Sequence, residues 1–221
     1  MKRALFLLVL TGNWMGMEPG LRTEIASLTV EHLELVLIAM CIAVVIAIPT
    51  GIVLTRHPGM RRWVLGFANV LQTIPSLALF GFLIPVPLIG GIGKRTAIVA
   101  LVLYALLPLL RSTLVGILGV DPAVRESAVA MGMTGRQVLW EVELPLAMRT
   151  ILAGVRVATV ATIGTATIAA AIGGGGLGVF IFRGISTVDS AQILAGAIPA
   201  AAIALAADEG LGWIERKLSP V

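Results

Sequence analysis

The chain has 221 residues, of which 58% are hydrophobic and 13% are charged, and its formal net charge is +4. Soluble domains are usually about half apolar and about one-quarter charged. The composition therefore excludes an ordinary soluble domain and indicates an integral membrane protein. The positive charge does not indicate nucleic-acid binding, because the basic residues lie beside the ends of apolar runs and do not cluster on one helix or tail.

The first 30 residues form an N-terminal segment whose structure the sequence leaves open. Lys2 and Arg3 precede an apolar run at residues 4–10, which is typical of the start of a signal peptide, but no small-residue cleavage pattern follows before Glu18. A short interfacial helix, a sixth membrane span and an uncleaved anchor are the three alternatives. Residues 31–218 are predicted to form one transmembrane domain.

Five apolar runs predict five membrane-spanning helices. A helix rises about 1.5 Å per residue, so about 20 residues are needed to cross a hydrocarbon core about 30 Å thick. The runs are continuous rather than alternating, which excludes a β-barrel and makes the fold class all-α. The predicted spans are residues 33–55, 64–84, 96–116, 150–172 and 191–207.

The second predicted span carries four polar side chains, Asn69, Gln72, Thr73 and Ser76. Their spacing of i, i+3, i+4 and i+7 predicts that they share one face of a helix. Such a face either lines a solute pathway or forms hydrogen bonds to neighbouring helices. Pro75 lies in the same stretch and predicts a kink, because proline removes a backbone donor.

Two further groups of residues are candidates for the pathway. Thr159 and Thr162 lie in the fourth span, although threonines in membrane helices also bond to their own backbone. A glycine tract follows that span, and it predicts a gate or a turn at the outer surface, because glycine permits non-helical backbone and close approach. The tract consists of Gly173, Gly174, Gly175 and Gly176.

A charged, amphipathic stretch interrupts the apolar pattern between the third and fourth spans. We call residues 121–145 the polar segment. Asp121 predicts the N-cap of a first helix, residues 123–131, which ends before Gly132.

A second short helix is predicted within the polar segment. Thr134 and Gln137 fit a capping box at its start. Pro145 is predicted to end or kink this helix where the chain enters the fourth span. The polar segment is thus predicted to be two short helices around a glycine hinge.

The distribution of basic residues predicts the orientation. If residues 56–62, residues 111–149 and the C-terminal tail share one side of the membrane, that side holds nine Lys and Arg residues and the other side holds four. The positive-inside rule then places the polar segment in the cytoplasm.

The polar segment resembles the signature of permease subunits of binding-protein-dependent ABC importers. That signature reads Glu-Ala-Ala, three residues, Gly, nine residues, Ile, one residue and Leu-Pro, and its spacing is fully kept here, with Ser127 and Val142 as departures. In this family the first helix docks into a groove on the ATP-hydrolysing subunit. The alternative is an amphipathic helix lying on lipid headgroups. The resemblance assigns ATPase coupling to Glu126, Ser127, Ala128, Gly132, Leu144 and Pro145.

Flanking stretches are similar to the osmoprotectant branch of these importers, which carries glycine betaine, carnitine or choline. They are residues 69–85, 104–134 and 164–186. The resemblance implies a type I ABC importer permease fold with about five helices, or six if residues 1–20 also span. It further implies a multi-pass protein of the bacterial inner membrane, with residues 31–218 as the permease domain and a cytoplasmic coupling helix.

The chain is predicted to be a transport subunit rather than an enzyme, with no cofactor of its own. Residues 93–94 are an adjacent Gly and Lys, as in an ATP-binding Walker A motif, but Arg95 replaces its Ser or Thr and Leu88 replaces its first glycine. No cluster of His, Asp or Glu suggests catalysis or metal binding. His32 and His57 are predicted to be interfacial side chains. ATP and magnesium are therefore expected on a partner subunit.

The resemblance also implies the partners and leaves alternatives. The expected partners are an ABC ATPase, an extracytoplasmic solute-binding protein, a second permease copy or paralogue, and membrane lipid, with no nucleic acid. The alternatives are a permease for another small solute such as an amino acid, and an ion-coupled secondary transporter. The latter would more often carry intramembrane carboxylates, which are scarce here.

Overall fold

The computed structural model describes residues 19–218, and all secondary structure within that range is helical. It includes a π-helical turn, Val138–Glu143, and a 3₁₀ helix, Thr167–Ile172. The α-helices are α1 (Pro19–Arg56), α2 (Pro58–Thr73), α3 (Ser76–Leu83), α4 (Lys94–Leu118), α5 (Pro122–Ala130), α6 (Gly135–Gln137), α7 (Leu144–Ala166), α8 (Gly178–Thr187) and α9 (Ser190–Leu218).

Within residues 19–218, four continuous stretches are long and apolar enough to cross a membrane, and the bent pair α2 and α3 makes a fifth. The predicted all-helical fold with about five spans is confirmed. The four continuous stretches are Gly20–Arg56, Lys94–Leu118, Gly135–Ile172 and Ser190–Leu218.

The first helix is longer than the predicted span and crosses the expected boundary at residue 30. Its early turns are held by side-chain packing, because Ile25, flanked by Leu21 and Leu28, packs against Phe180 of α8 and Ala195 of α9. The predicted alternatives for residues 1–18 concern a part of the chain outside the described residues.

The second span is broken rather than kinked. Its two helices, α2 and α3, meet at 102°. Ile74 adopts extended backbone (φ −72°, ψ 125°), as the residue before a proline prefers, and Pro75 precedes the first residue of α3. Ser76 therefore belongs to a different helix from Asn69, and the prediction that they share one helical face is wrong.

The core centres on α4, which packs between α1 and α7. Small residues allow the close approach of these helices. A Cβ added to Gly51 of α1 would lie 2.7 Å from Thr113 Cγ2 of α4, and one added to Gly154 of α7 would overlap Ser112 of α4. Any larger residue at either glycine would push the helices apart.

The last helix, α9, packs against α7 and α8 and carries the partner of a charged residue inside a span. Arg156 of α7 donates two hydrogen bonds to the carboxylate of Asp208, at 2.6 and 2.9 Å, and lies 3.5 Å from Glu215. Pairing of this kind lowers the cost of placing a charge in a membrane helix.

Candidate functional site

The polar segment begins with the predicted capped helix. Asp121 Oδ1 accepts a hydrogen bond from the backbone N–H of Ala123 at 2.9 Å, and Pro122 occupies the first turn of α5. The helix ends at Ala130. The predicted helix 123–131 is confirmed to within a residue at each end.

A glycine turn and a second cap follow α5, as predicted. Gly132 has φ +86°, a left-handed conformation that glycine adopts without steric cost. The capping box at Thr134 is complete: its backbone N–H donates to Gln137 Oε1 at 2.9 Å, and its hydroxyl accepts from the Gln137 N–H at 3.4 Å.

The second helix of the polar segment is not a separate element, which corrects the prediction for Pro145. Helix α6 continues through the π-helical turn Val138–Glu143 into α7, and Pro145 lies in the first turn of α7. A π-turn shifts the hydrogen-bond pattern by one residue, so a proline just after it neither ends nor separates the helix. The fourth span therefore begins inside the polar segment.

The signature residues divide between an outward surface and the base of α7. Glu126 and Ser127 are exposed on α5, whereas Ala128 is buried against the body of the protein. Leu144 is half-buried and Pro145 is exposed. The free surface around α5 also carries apolar side chains, including Val129 and Met131, the latter 76% exposed.

Glu143, between Val142 and Leu144 of the signature, is a site residue that the sequence reasoning missed. Its side chain is 1% exposed. Glu143 Oε2 accepts a hydrogen bond from Arg56 Nη2 of α1 and Oε1 accepts one from Arg125 Nε of α5, both at 2.6 Å. The available signal was a lone carboxylate sharing an apolar face with Val138 and Ala147, which are also buried.

The polar side chains of α2 form bonds to α4 and also remain exposed. Asn69 Oδ1 accepts from Arg111 Nη2 at 2.7 Å, and Gln72 Nε2 donates to the Tyr104 carbonyl at 3.1 Å. Thr73 bonds within its own helix. Asn69 and Gln72 therefore form hydrogen bonds to a neighbouring helix, which was one of the two alternatives. Pathway lining, the other alternative, stays a prediction.

The threonines of the fourth span lie in two different environments. Thr159 donates to the Val155 carbonyl one turn earlier. Thr162 is buried, 3.5 Å from Met40 Sδ of α1, and so lies at a helix interface rather than on an open surface. Thr159 itself is half-buried.

The glycine tract is a non-helical turn packed against α1. Gly173, Gly175 and Gly176 have φ between +72° and +83°. The Gly176 N–H donates to Glu31 Oε2 at 3.3 Å, and a Cβ on Gly176 would lie 3.1 Å from His32 Nδ1. A gating role for this turn stays a prediction.

His32 is fully buried, so the prediction of an interfacial side chain is wrong. Its Nε2 lies 3.1 Å from the Ile163 carbonyl oxygen, and because a carbonyl only accepts, Nε2 carries the proton. Ile163 lies near the end of α7, where the Thr167 N–H donates to Gly164. His32 thus joins α1 to a backbone carbonyl near the end of α7.

Comparison with known proteins identifies the family. Residues 43–220 match the family described as the binding-protein-dependent transport system inner membrane component. The chain belongs to this family. It is therefore a multi-pass membrane protein with a transport role.

Individual relatives cover most of the chain. The carnitine transport permease protein OpuCB of Listeria monocytogenes is 45% identical over 87% of each chain. The glycine betaine/carnitine/choline transport system permease protein OpuCB of Bacillus subtilis is 44% identical over 89% of each chain. An inward-facing structure of the MetNI methionine ABC transporter superposes with a TM-score of 0.83 at 22% identity, covering 92% of this chain and all of that one. This structural likeness confirms the type I importer permease fold.

Proposed function

We propose that this chain is the membrane-spanning subunit of an ABC importer that moves glycine betaine, carnitine or choline into a bacterial cell. The similarity to osmoprotectant permeases over 87–89% of both chains carries the proposal. The complete signature spacing in the polar segment supports the importer class independently of the solute.

In this proposal the polar segment lies in the cytoplasm and α5 docks into a groove on a separate ATPase. A short helix with small and apolar residues fits such a groove. The exposed Glu126, Ser127 and Met131 supply the contact surface. ATP and magnesium bind to the ATPase, and this chain catalyses no reaction itself.

Two copies of the chain, or one copy with a paralogue, enclose the solute pathway. Arg111 of α4 and Asn69 of α2 pair with each other and are exposed on helices that cross or enter the membrane. Polar and charged groups are costly in contact with lipid, so this surface faces water or a second subunit. A two-fold pair is the commonest closed assembly.

An extracytoplasmic solute-binding protein delivers the solute in this scheme. ATP binding draws the two ATPase subunits together, the docked α5 helices move with them, and the spans expose the pathway to opposite sides of the membrane in turn. The chain then supplies a passage, and the binding protein supplies the affinity for the solute.

The solute is tested with the purified importer, comprising permease, ATPase and binding protein, in vesicles containing ATP. We expect uptake of at least one of radiolabelled glycine betaine, carnitine and choline, and none of methionine. Uptake of methionine with no uptake of the quaternary amines would overturn the solute assignment and leave the importer class standing.

A further inference from the structure

Three segments of the chain meet at the carboxylate of Glu143. Arg56 is the last residue of α1, Arg125 lies in the middle of α5, and Glu143 ends the π-helical turn before α7. Both arginines reach the carboxylate at 2.6 Å, one on each oxygen. Arg125 also donates to the Ile117 carbonyl near the end of α4, at 3.1 Å.

The geometry makes this cluster a stiff connection. The Glu143 side chain is 1% exposed, while those of Arg56 and Arg125 are 51% and 28% exposed. Burying a carboxylate is costly unless its partners are held in place, so the three side chains cannot separate freely. The cluster therefore fixes α5 relative to α1 and α4.

Few other contacts hold α5 to the body of the protein. It has nine residues, of which Ala128 alone is buried, and its packing is mainly against the π-helical turn that contains Glu143. Apart from the ion pairs, α5 is joined to the spans by this packing, which leads into α7, and by its covalent connections to α4 and α6. None of those connections leads to α1.

We propose that Glu143 is a positioning residue that transmits the displacement of α5 to α1 through its two arginine partners. The inference rests on the proposed function, because it supposes that an ATPase moves α5. Glu143 occupies a position that the signature leaves unspecified. Its two ion pairs would connect α5 to the first span.

The test compares ATP hydrolysed per solute taken up by the complete importer in vesicles, with wild type and Glu143→Gln. Glutamine keeps the size of the side chain but removes the charge that holds both arginines. We expect ATP hydrolysis to continue and solute uptake to fall several-fold, so that the ratio of ATP to solute rises several-fold.

Two further variants separate transmission from simple loss of structure. Arg56→Lys keeps the ion pair to α1, so its ratio of ATP to solute should stay near that of wild type. Arg56→Gln removes this ion pair while Glu143 keeps Arg125 as a partner, and it should raise the ratio. Glu24→Gln is the matched control, since Glu24 pairs with Arg183 at 2.8 Å between α1 and α8, away from α5, and both side chains are partly exposed. It should leave the ratio unchanged.

The outcomes are distinct. A raised ratio in Glu143→Gln and Arg56→Gln, with normal ratios in Arg56→Lys and Glu24→Gln, supports the proposal. Parallel loss of hydrolysis and uptake at an unchanged ratio shows a merely structural carboxylate and overturns it, as does wild-type behaviour in both Glu143→Gln and Arg56→Gln. If Glu143→Gln does not assemble, Arg56→Gln alone decides by the same criterion. Failure of the wild-type complex to use ATP for uptake would instead contradict the proposed function.

Discussion

His32 and Glu143 are fully buried titratable residues among those described, and each satisfies groups far away in the sequence. His32 bonds to a residue 131 positions later, and Arg56 reaches Glu143 across 87 positions. At 1.5 Å per residue, His32 and Arg56 are about 36 Å apart along α1, so the two clusters tie opposite ends of the first span to the bundle. Such contacts depend on tertiary packing, and local sequence could not predict them.

Replacing His32 tests whether the hydrogen bond from its Nε2 contributes to the stability of the protein. His32→Leu should lower the free energy of unfolding by about 1–3 kcal/mol, because it removes the buried hydrogen bond from His32 Nε2 to the Ile163 carbonyl. His32→Gln keeps a hydrogen-bond donor, so its free energy of unfolding should fall by less. Thermal unfolding of the detergent-purified protein, followed by circular dichroism, measures the difference. Equal losses in the two variants would show that the shape of the imidazole matters rather than its hydrogen bond.

The elements that the sequence predicted well are those whose ends depend on neighbouring residues. Asp121, Gly132 and Thr134 define the ends of α5 and the start of α6 through bonds spanning only a few residues. The number of spans follows equally directly from the apolar runs, whereas three of the continuous stretches extend well beyond the predicted bounds.

Other elements depend on their surroundings. Pro75 lies in a sharp break between two helices, whereas Pro145 lies in a continuous helix just after a π-turn, although both prolines predict interruption. Helix α8 was missed because its ten residues are too few for a span. In each case the packing of other helices decides between conformations that the local sequence permits.

The docking role of α5 is tested by reversing the charge of its exposed carboxylate. Glu126→Lys should reduce co-purification of the ATPase by about tenfold or more, since like charges placed together in an interface cost several kcal/mol. The protein itself should remain folded, because the side chain is exposed. Glu209→Lys, at an exposed position of α9 outside the signature, is the control. Undiminished co-purification of the Glu126 variant would remove the docking assignment.

At the scale of the whole molecule, α4 connects the two ends of the bundle. It begins at Lys94, which pairs with Glu34 of α1 at 3.0 Å, and it ends beside α5. The number of spans and the position of the polar segment could be predicted from the sequence. The exposed polar surface of α2 and α4 could not, because pairing of Asn69 with Arg111 requires the helices to be placed side by side.

That polar surface should affect transport rather than assembly if it lines the pathway. Gln72→Leu should change the rate of solute uptake several-fold while the amount of purified complex stays constant, because the exposed amide is replaced by an apolar group. Thr55→Val is the control, since the Thr55 hydroxyl bonds within its own helix. A normal uptake rate in Gln72→Leu would favour a purely interhelical hydrogen bond.

The central claim is that energy reaches this chain from an ATPase through α5. The most direct measurement is uptake of radiolabelled osmoprotectant into vesicles, with the ATPase, the binding protein or ATP omitted in turn, and with imposed proton or sodium gradients. We expect uptake only when the ATPase, the binding protein and ATP are all present, with no uptake driven by a gradient alone. Uptake driven by a gradient in the absence of the ATPase would contradict it.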